Sequence, residues 1–101
     1  LQIDGKVEEV AGLSPLDQKF EAFGFDVQWI DGHDFDAMEQ AFAHARSVKG
    51  KPSCIIAKTT KGKGVSYMEN AVGWHGKAPN TAEYEQALTE LKAALAKLEA
   101  E

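Results

Sequence analysis

The sequence predicts an α/β domain in which a mostly parallel sheet is flanked by helices. Phe25–Ile30 alternates apolar and polar residues before an apolar pair, and Ser53–Ala57 is continuously apolar, so both are typical of strands. Between them, residues 35–48 carry apolar side chains at the three- and four-residue spacing of a helix. Strands that alternate with helices favour parallel pairing, with ligands at the carboxyl ends of the strands.

The N-terminal quarter predicts the end of a strand and a short helix. Leu1–Ile3 has the composition of a strand, and the Asp4–Gly5 turn should end it. Ser14 is placed to cap a helix with Pro15 at its first position, and Gly24 is placed to end that helix in a left-handed conformation. Because the chain begins inside an element and without a methionine, we expect it to be part of a longer domain.

Two further helices have recognisable beginnings. Asp34 is placed to cap the helix of residues 35–48, whose apolar stripe comprises Phe35, Met38, Ala41, Phe42 and Ala45. Thr81 is placed to cap a terminal helix within residues 81–101, whose apolar stripe comprises Tyr84, Leu88, Leu91, Leu95 and Leu98. The leucine run is short for a coiled coil, so we expect this helix to pack on the domain or on a partner.

Composition and charge exclude several classes of protein. The net charge is −5, with 16 acidic and 11 basic residues, which argues against a nucleic-acid-binding protein. Cys54 is the only cysteine, so neither an intrachain disulfide nor a cysteine metal cluster can form. No apolar run is long enough to span a membrane and no signal peptide is recognisable, so we expect a cytoplasmic protein without membrane contact.

The segment that follows the second strand is the candidate functional site. It runs from Lys58 to Gly76 and reads KTTKGKGVSYMENAVGWHG, roughly twenty residues without a clear periodic pattern, which is typical of a binding or catalytic loop. Lys61 and Lys63 alternate with glycines that let the backbone approach a ligand, and their ammonium groups suit a small anion. The spacing is not that of a Walker loop.

A histidine closes the same loop. His75 lies beside Trp74, fourteen residues after Lys61, where it can bind an anionic oxygen or transfer a proton near neutral pH. The other two histidines have simpler interpretations: His33 as a turn residue and His44 as an exposed helix residue. Three histidines at these distances form no recognisable zinc pattern.

Taken together, these segments resemble the thiamine-diphosphate-binding part of transketolase, most closely the N-terminal subunit found where that enzyme is split over two chains. The resemblance runs along nearly the whole chain and is carried by Leu1–Gly5, Asp31–Asp34, Lys51–Pro52, Lys58–Gly64 and Trp74–Lys77. It implies that residues 1–101 form a single partial domain, the C-terminal part of a diphosphate-binding domain.

The resemblance also implies site residues. Lys61 and His75 match the lysine and histidine that reach the cofactor's diphosphate and the active-site pocket, the histidine also bonding oxygens of the donor substrate. Ile3 matches a residue that packs near the thiazolium ring, and Lys63 would lie at the rim. The divalent metal, Mg²⁺ or Ca²⁺, would take an Asp and an Asn from before Leu1, and the backbone carbonyl of Leu1 itself.

The implied reaction moves a two-carbon ketol unit from a ketose phosphate to an aldose phosphate, as in the pentose phosphate pathway of carbohydrate metabolism. The glutamate that activates the cofactor would come from a pyrimidine-binding subunit or domain, so we expect a dimer or heterotetramer and no activity from this chain alone. One alternative is a 1-deoxyxylulose-5-phosphate synthase, which has a similar Lys-Gly-Lys-Gly turn. Another is a non-catalytic binding or assembly module that docks through the terminal helix.

Overall fold

The computed structural model describes residues 1–101 and contains two compact units. We call residues 11–59 the βαβ unit, and residues 1–10 with residues 60–101 the loop–helix unit. In chain order the elements are α1 (Val7–Ala11), α2 (Leu16–Ala22), β1 (Asp26–Asp31), α3 (Phe35–Ser47), β2 (Ser53–Lys58), a 3₁₀ helix (Val72–Trp74) and α4 (Thr81–Glu99). None of these helices combines the length and the apolarity needed to cross a membrane.

The βαβ unit confirms the predicted α/β class. Strands β1 and β2 pair in parallel, with Asp26 opposite Ser53 at one end and Asp31 opposite Lys58 at the other. Parallel neighbours need a crossover connection, and α3 provides it while packing against both strands. Helix α2 packs on β1, where Phe20 and Phe25 meet edge to face with ring centroids 5.4 Å apart.

Helix α3 forms as predicted at its start and buries part of its stripe. The Asp34 side chain accepts hydrogen bonds from the backbone N–H groups of Asp36 and Ala37, at 2.9 and 3.1 Å, which confirms it as the N-cap. Ala41 is 2% exposed, and its carbonyl accepts a 3.1 Å hydrogen bond from Gln28 Nε2 on β1. The larger members of the stripe, Phe35 and Phe42, remain exposed.

The predicted cap of α2 is wrong by one residue, whereas its predicted end is confirmed. Pro15, not Ser14, is the N-cap, because its ψ of 105° is extended and the helix therefore begins at Leu16. Proline fixes only φ and leaves ψ free, so its presence did not determine the first helical residue. Gly24 has a φ of +90°, and its N–H donates to the Glu21 carbonyl at 2.9 Å, as a left-handed helix end requires.

Two expectations for the loop–helix unit are also corrected. Leu1–Ile3 is not a strand, because Gln2 pairs only with nearby Gly5 in a single antiparallel bridge, with N–O distances of 2.7 and 3.3 Å. Asn80, not Thr81, caps α4. Its side chain accepts from the Glu83 N–H at 2.9 Å while the Glu83 carboxylate accepts from the Asn80 N–H at 2.8 Å. This reciprocal capping box satisfies two backbone donors, and Thr81 becomes the first helical residue.

A glycine at the carboxyl edge of the sheet allows two backbone segments to meet. The N–H of Gly32, just after β1, donates to the Lys58 carbonyl at 2.8 Å. A Cβ on Gly32 would lie 2.6 Å from Thr59 Cγ2 and 3.2 Å from the Lys58 carbonyl oxygen. Gly32 therefore has a packing role at this edge.

Candidate functional site

The first half of the Lys58–Gly76 loop closes on itself through hydrogen bonds that its backbone N–H groups donate. The N–H of Asn70 donates to the Lys61 carbonyl at 2.9 Å, and the N–H of Gly64 donates to Glu69 Oε1 at 3.1 Å. Val65, at the middle of this segment, is 8% exposed. The predicted long loop is thus a folded structure with its own buried residue, which gives the lysines a defined backbone.

Gly62 permits this closure. Its φ is +77°, and a Cβ at this position would lie 2.4 Å from the Met68 carbonyl oxygen and 2.6 Å from the carbonyl carbon. Both the left-handed conformation and the contact with rigid backbone exclude a side chain without rearrangement. The folded loop therefore requires a glycine next to Lys61, because no side chain would fit there.

The loop brings together Lys61 and His75, the two residues predicted to act in the site. Lys61 Nζ lies 3.3 Å from His75 Nδ1. An ammonium group can only donate, so Nδ1 accepts, and a neutral imidazole in this contact carries its proton on Nε2. The pair therefore presents an N–H donor on His75 and the remaining ammonium donors of Lys61, a set that suits an anionic ligand.

A tyrosine and a tryptophan anchor the second half of the loop. The rings of Tyr67 and Trp74 pack with centroids 5.1 Å apart and planes inclined by 51°, and Lys77 Nζ lies 4.3 Å from the Trp74 ring centroid. The Tyr67 hydroxyl donates to the Glu83 backbone carbonyl on α4, and Lys77 pairs with the Glu83 carboxylate at 3.8 Å. Trp74 directly precedes His75, so these contacts hold the backbone that carries the histidine.

Partial burial of the Tyr67 hydroxyl raises its pKa, and the nearby carboxylates of Glu83 and Glu90 raise it further. The hydroxyl therefore stays protonated around neutral pH, as its donor role in the hydrogen bond to α4 requires. The sequence did not predict that Tyr67 takes part in the contacts of the loop.

A second carboxylate on α4 binds the loop directly. Glu90 accepts from the Ser66 N–H at 2.7 Å and from the Ser66 hydroxyl at 2.6 Å, while Gln86 Nε2 donates to the same carboxylate at 3.2 Å. The hydroxyl and N–H of Ser66, followed by Gln86, lower the pKa of Glu90. Sequence reasoning missed this residue; the available signal was the spacing of Glu83 and Glu90, seven residues apart and therefore on one helix face.

The remaining residues implied by the resemblance lie at different degrees of exposure. Leu1 and Ile3 belong to the same compact unit as the loop, Leu1 half-buried and Ile3 62% exposed. Lys63, predicted to lie at the rim, is exposed, whereas Lys61 is half-buried. Of the two lysines, only Lys61 is brought to His75.

The histidines of the βαβ unit each have a contact within that unit. The backbone N–H of His33 donates to Asp31 Oδ1 at 2.9 Å. The Asp31–Asp34 segment therefore forms a turn and a helix cap. His44 is exposed as predicted, with its side chain 49% accessible, and its Nε2 lies 2.7 Å from Asp26 Oδ2. This contact was not predicted, because the two residues are eighteen positions apart and belong to different elements.

The site's donor set favours an anion over a metal. No group of three or more histidine, cysteine, aspartate or glutamate side chains is gathered so that it could hold a metal ion. These residues do not fit a divalent-metal centre by themselves, whereas the ammonium group and imidazole of the loop fit a diphosphate.

Comparison with known proteins identifies the family to which the chain is similar. Residues 1–96 match the family described as transketolase, thiamine diphosphate binding domain. The chain is 40% identical over its full length to an apulose-4-phosphate transketolase subunit of Phocaeicola vulgatus, covering 36% of that protein. It is 43% identical over 92 residues to the 6-deoxy-6-sulfo-D-fructose transketolase subunit SqwG of a Clostridium species, covering 34%. It is also 53% identical over 57 residues to human transketolase-like protein 2, covering 9%.

The chain spans about a third of the length of the two bacterial relatives. The match extends from the N-terminal turn through the loop and into α4, and so includes both compact units. The chain belongs to the thiamine-diphosphate-binding domain family of transketolase.

Proposed function

We propose that this chain forms the diphosphate-binding wall of a transketolase active site, in an enzyme that transfers a two-carbon ketol unit from a ketose phosphate to an aldose phosphate. The observation that carries the proposal is the 3.3 Å contact between Lys61 Nζ and His75 Nδ1. It gathers a cation and a proton-bearing ring in one folded loop of a chain from this family.

Lys61 binds the diphosphate in this proposal. Its ammonium group has three donors, and the contact with His75 uses one of them, which leaves two for phosphate oxygens. Because Lys61 is half-buried, part of its charge is shielded from water and acts more strongly on an anion. Thiamine diphosphate, when bound, supplies the nucleophilic carbon and the electron sink for ketol transfer.

His75 acts on the sugar substrate. With Nδ1 accepting from Lys61, its Nε2–H can donate to a hydroxyl or carbonyl oxygen of the donor ketose. A ring held in this way orients the substrate and can transfer a proton at that oxygen. Lys61 thus has two roles, binding the anion and setting the tautomer of the histidine.

The proposal assigns smaller roles to the N-terminal residues. Ile3 packs near the thiazolium ring, for which its exposed side chain is available. The Leu1 carbonyl supplies one oxygen ligand to Mg²⁺, a metal that prefers oxygen ligands, and the other protein ligands come from outside residues 1–101. We assign no chemical step to the metal.

The proposal also requires a partner. The glutamate that activates the cofactor is assigned to a pyrimidine-binding subunit or domain, in a dimer or heterotetramer. Two relatives carry the word subunit in their names, which supports an assembly of more than one chain. Their names also supply candidate donors beyond the common pentose phosphates, namely apulose 4-phosphate and 6-deoxy-6-sulfo-D-fructose.

The test uses residues 1–101 carried in a full-length subunit that is assembled with its partner. Ketol transfer to ribose 5-phosphate is followed with thiamine diphosphate and Mg²⁺, using xylulose 5-phosphate and the two named sugars as donors. We expect transfer from at least one donor, and a kcat lower by about 100-fold in His75→Ala, the range of a lost proton-transfer or hydrogen-bonding group. His44→Ala, a histidine of the βαβ unit, is the matched control and should keep its kcat.

The contrary outcomes either contradict the proposed function or identify another one. A folded, cofactor-loaded assembly that transfers no ketol unit from any of these donors would contradict the transketolase proposal. Condensation of pyruvate with glyceraldehyde 3-phosphate would identify a 1-deoxyxylulose-5-phosphate synthase instead. An assembly that binds no thiamine diphosphate would favour a binding or assembly module.

A further inference from the structure

Helix α4 contacts the loop through polar groups on one face. Glu83 and Glu90, two helical turns apart, both take part, Glu83 through its backbone carbonyl and Glu90 through its carboxylate. Beside them, Leu91 Cδ2 lies 3.5 Å from the position of a Cβ on Gly64. The loop and α4 are therefore joined by hydrogen bonds between defined groups. Ser66 provides both of the loop's donors to Glu90.

We propose that Glu90 is a positioning residue, whose carboxylate clamps Ser66 to α4 and thereby holds Lys61 and His75 in their functional arrangement. Both carboxylate oxygens are engaged, at 2.7 Å by the Ser66 N–H and at 2.6 Å by its hydroxyl. Gln86, one turn earlier, donates at 3.2 Å to the same carboxylate oxygen that accepts from the Ser66 hydroxyl. The catalytic part of this inference rests on the proposed function; the clamp itself does not.

Ser66 lies where both halves of the site are affected by its position. Before it, the N–H of Val65 donates to the Gly62 carbonyl at 3.3 Å, next to Lys61. After it, Tyr67 packs against Trp74, the neighbour of His75. A shift of Ser66 away from α4 is therefore transmitted along the chain to the lysine on one side and to the histidine on the other.

The ionised state of Glu90 is the one that makes this clamp. Two donors from Ser66 and one from Gln86 stabilise the carboxylate, and they lower its pKa. Hydrogen bonds to a charged acceptor are stronger than those between neutral groups. Neutralising Glu90 should accordingly loosen the loop without altering any group in contact with substrate.

The experiment measures hydrogen exchange and kinetics on the full-length subunit in its assembled form. In Glu90→Ala, we expect the backbone amides of residues 61–76 to exchange about tenfold faster, the loss expected for charge-assisted hydrogen bonds, while those of β1 and β2 are unchanged. Glu90→Gln should be intermediate, because its amide oxygen retains one acceptor. Glu85→Ala removes an exposed carboxylate of the same helix and is the matched control.

The kinetic readout separates positioning from general stability. At saturating cofactor, Glu90→Ala should lower kcat by about tenfold and leave the KM for the aldose acceptor within about twofold, because an interaction needed in the transition state is lost. Ser66→Ala, which removes only the hydroxyl donor, should have a smaller effect of the same kind. The double variant Ser66→Ala/Glu90→Ala should be no worse than Glu90→Ala alone.

The outcomes distinguish the two proposals. Unchanged exchange of residues 61–76 in Glu90→Ala would refute the clamp, and faster exchange with unchanged kcat would refute the positioning role. Should Glu90→Ala also expose β1 and β2, Ser66→Ala decides, since it must accelerate exchange in the loop alone. If the wild-type assembly transfers no ketol unit, the proposed function fails while the exchange data still decide the clamp.

Discussion

At the scale of single residues, the loop shows how a weak sequence signal becomes a site. A Lys-Gly-Lys-Gly turn alone is compatible with a solvated turn, and a histidine beside a tryptophan is compatible with surface packing. The fold brings Lys61 and His75 to 3.3 Å, so that each limits what the other can do. Two residues fourteen positions apart then form one donor set for an anion.

The glycines of this loop are not equivalent: Gly62, Gly64 and Gly76 all have positive φ, but only at Gly62 would a Cβ also meet rigid backbone. In Gly62→Ala, a methyl group would meet the Met68 carbonyl at 2.4 Å in a backbone with φ of +77°. We expect the free energy of unfolding to fall by about 1–3 kcal/mol and ketol transfer to be lost with it. Urea denaturation and the transfer assay measure both effects.

Gly73→Ala is the matched control for Gly62→Ala. No heavy atom lies within 4 Å of a Cβ built on Gly73, which is in the short 3₁₀ helix before His75. Its free energy of unfolding should stay within about 0.5 kcal/mol of wild type, as for an ordinary surface substitution. Equal effects of the two substitutions would show that glycine flexibility, rather than the contact with Met68, is what the loop needs.

At the scale of elements, periodicity and strand composition predicted the βαβ unit well. The apolar run Ser53–Ala57, the alternation after Phe25 and the Asp34 cap depend on neighbours in sequence, and all three correspond to observed elements. Asn80 and Thr81 are neighbours, and either side chain could cap α4. Asn80 is the cap because it accepts a hydrogen bond at least as well as Thr81 and is followed three residues later by Glu83.

Periodicity and strand composition could not predict how the loop packs on α4. The helix was predicted to pack on the domain or on a partner, and four residues of its apolar stripe are about half exposed or more: Tyr84, Leu91, Leu95 and Leu98. Its hydrogen bonds with the loop are made by Glu83 and Glu90. Pairing of Ser66 with a carboxylate 24 positions later depends on tertiary structure, which the spacing of residues along the sequence does not report.

The same contact makes the link between the loop and α4 sensitive to acid. Because the folded state lowers the pKa of Glu90 from 4.5, its contribution to stability is fully present above pH 4.5 and is lost as the pH falls through the lower folded value. Glutamine has nearly the shape of the protonated acid and does not titrate. We therefore expect Glu90→Gln to be less stable than wild type at neutral pH and to approach it below pH 4.5.

Unfolding by urea across this pH range, with wild type and Glu90→Gln compared at each pH, measures the effect. Subtracting the two curves removes the titration of carboxylates that the variants share. A difference that is constant from neutral pH to well below 4.5 would mean that Glu90 is not ionised in its contact with Ser66. Glu85→Gln supplies the control for loss of an exposed charge on the same helix.

At the scale of the whole molecule, both units leave large apolar side chains uncovered. In the βαβ unit, Phe23 and Phe35 are each 84% exposed and Trp29 is 51% exposed, while the parallel sheet has only two strands. In the loop–helix unit, Leu98 is 66% exposed. Parallel sheets are normally covered on both faces, so this two-stranded sheet leaves surface on which other protein can pack. The chain also spans about a third of its bacterial relatives.

We therefore expect residues 1–101 by themselves to bind thiamine diphosphate weakly, with a Kd in the millimolar range or above, about −4 kcal/mol. In the proposed function, Lys61 is the one side chain of this chain that binds the diphosphate, and no group of side chains is gathered to hold the metal. Calorimetric titration with Mg²⁺ present measures the affinity, and the full-length subunit with its partner is the comparison.

Circular dichroism of each sample separates weak binding from loss of structure, and the aromatic packing of Tyr67 on Trp74 gives the near-ultraviolet signal to follow. Tight, Mg²⁺-dependent binding by a folded 1–101 chain would mean that its own residues complete the metal site, and would overturn the assignment of only the Leu1 carbonyl to it.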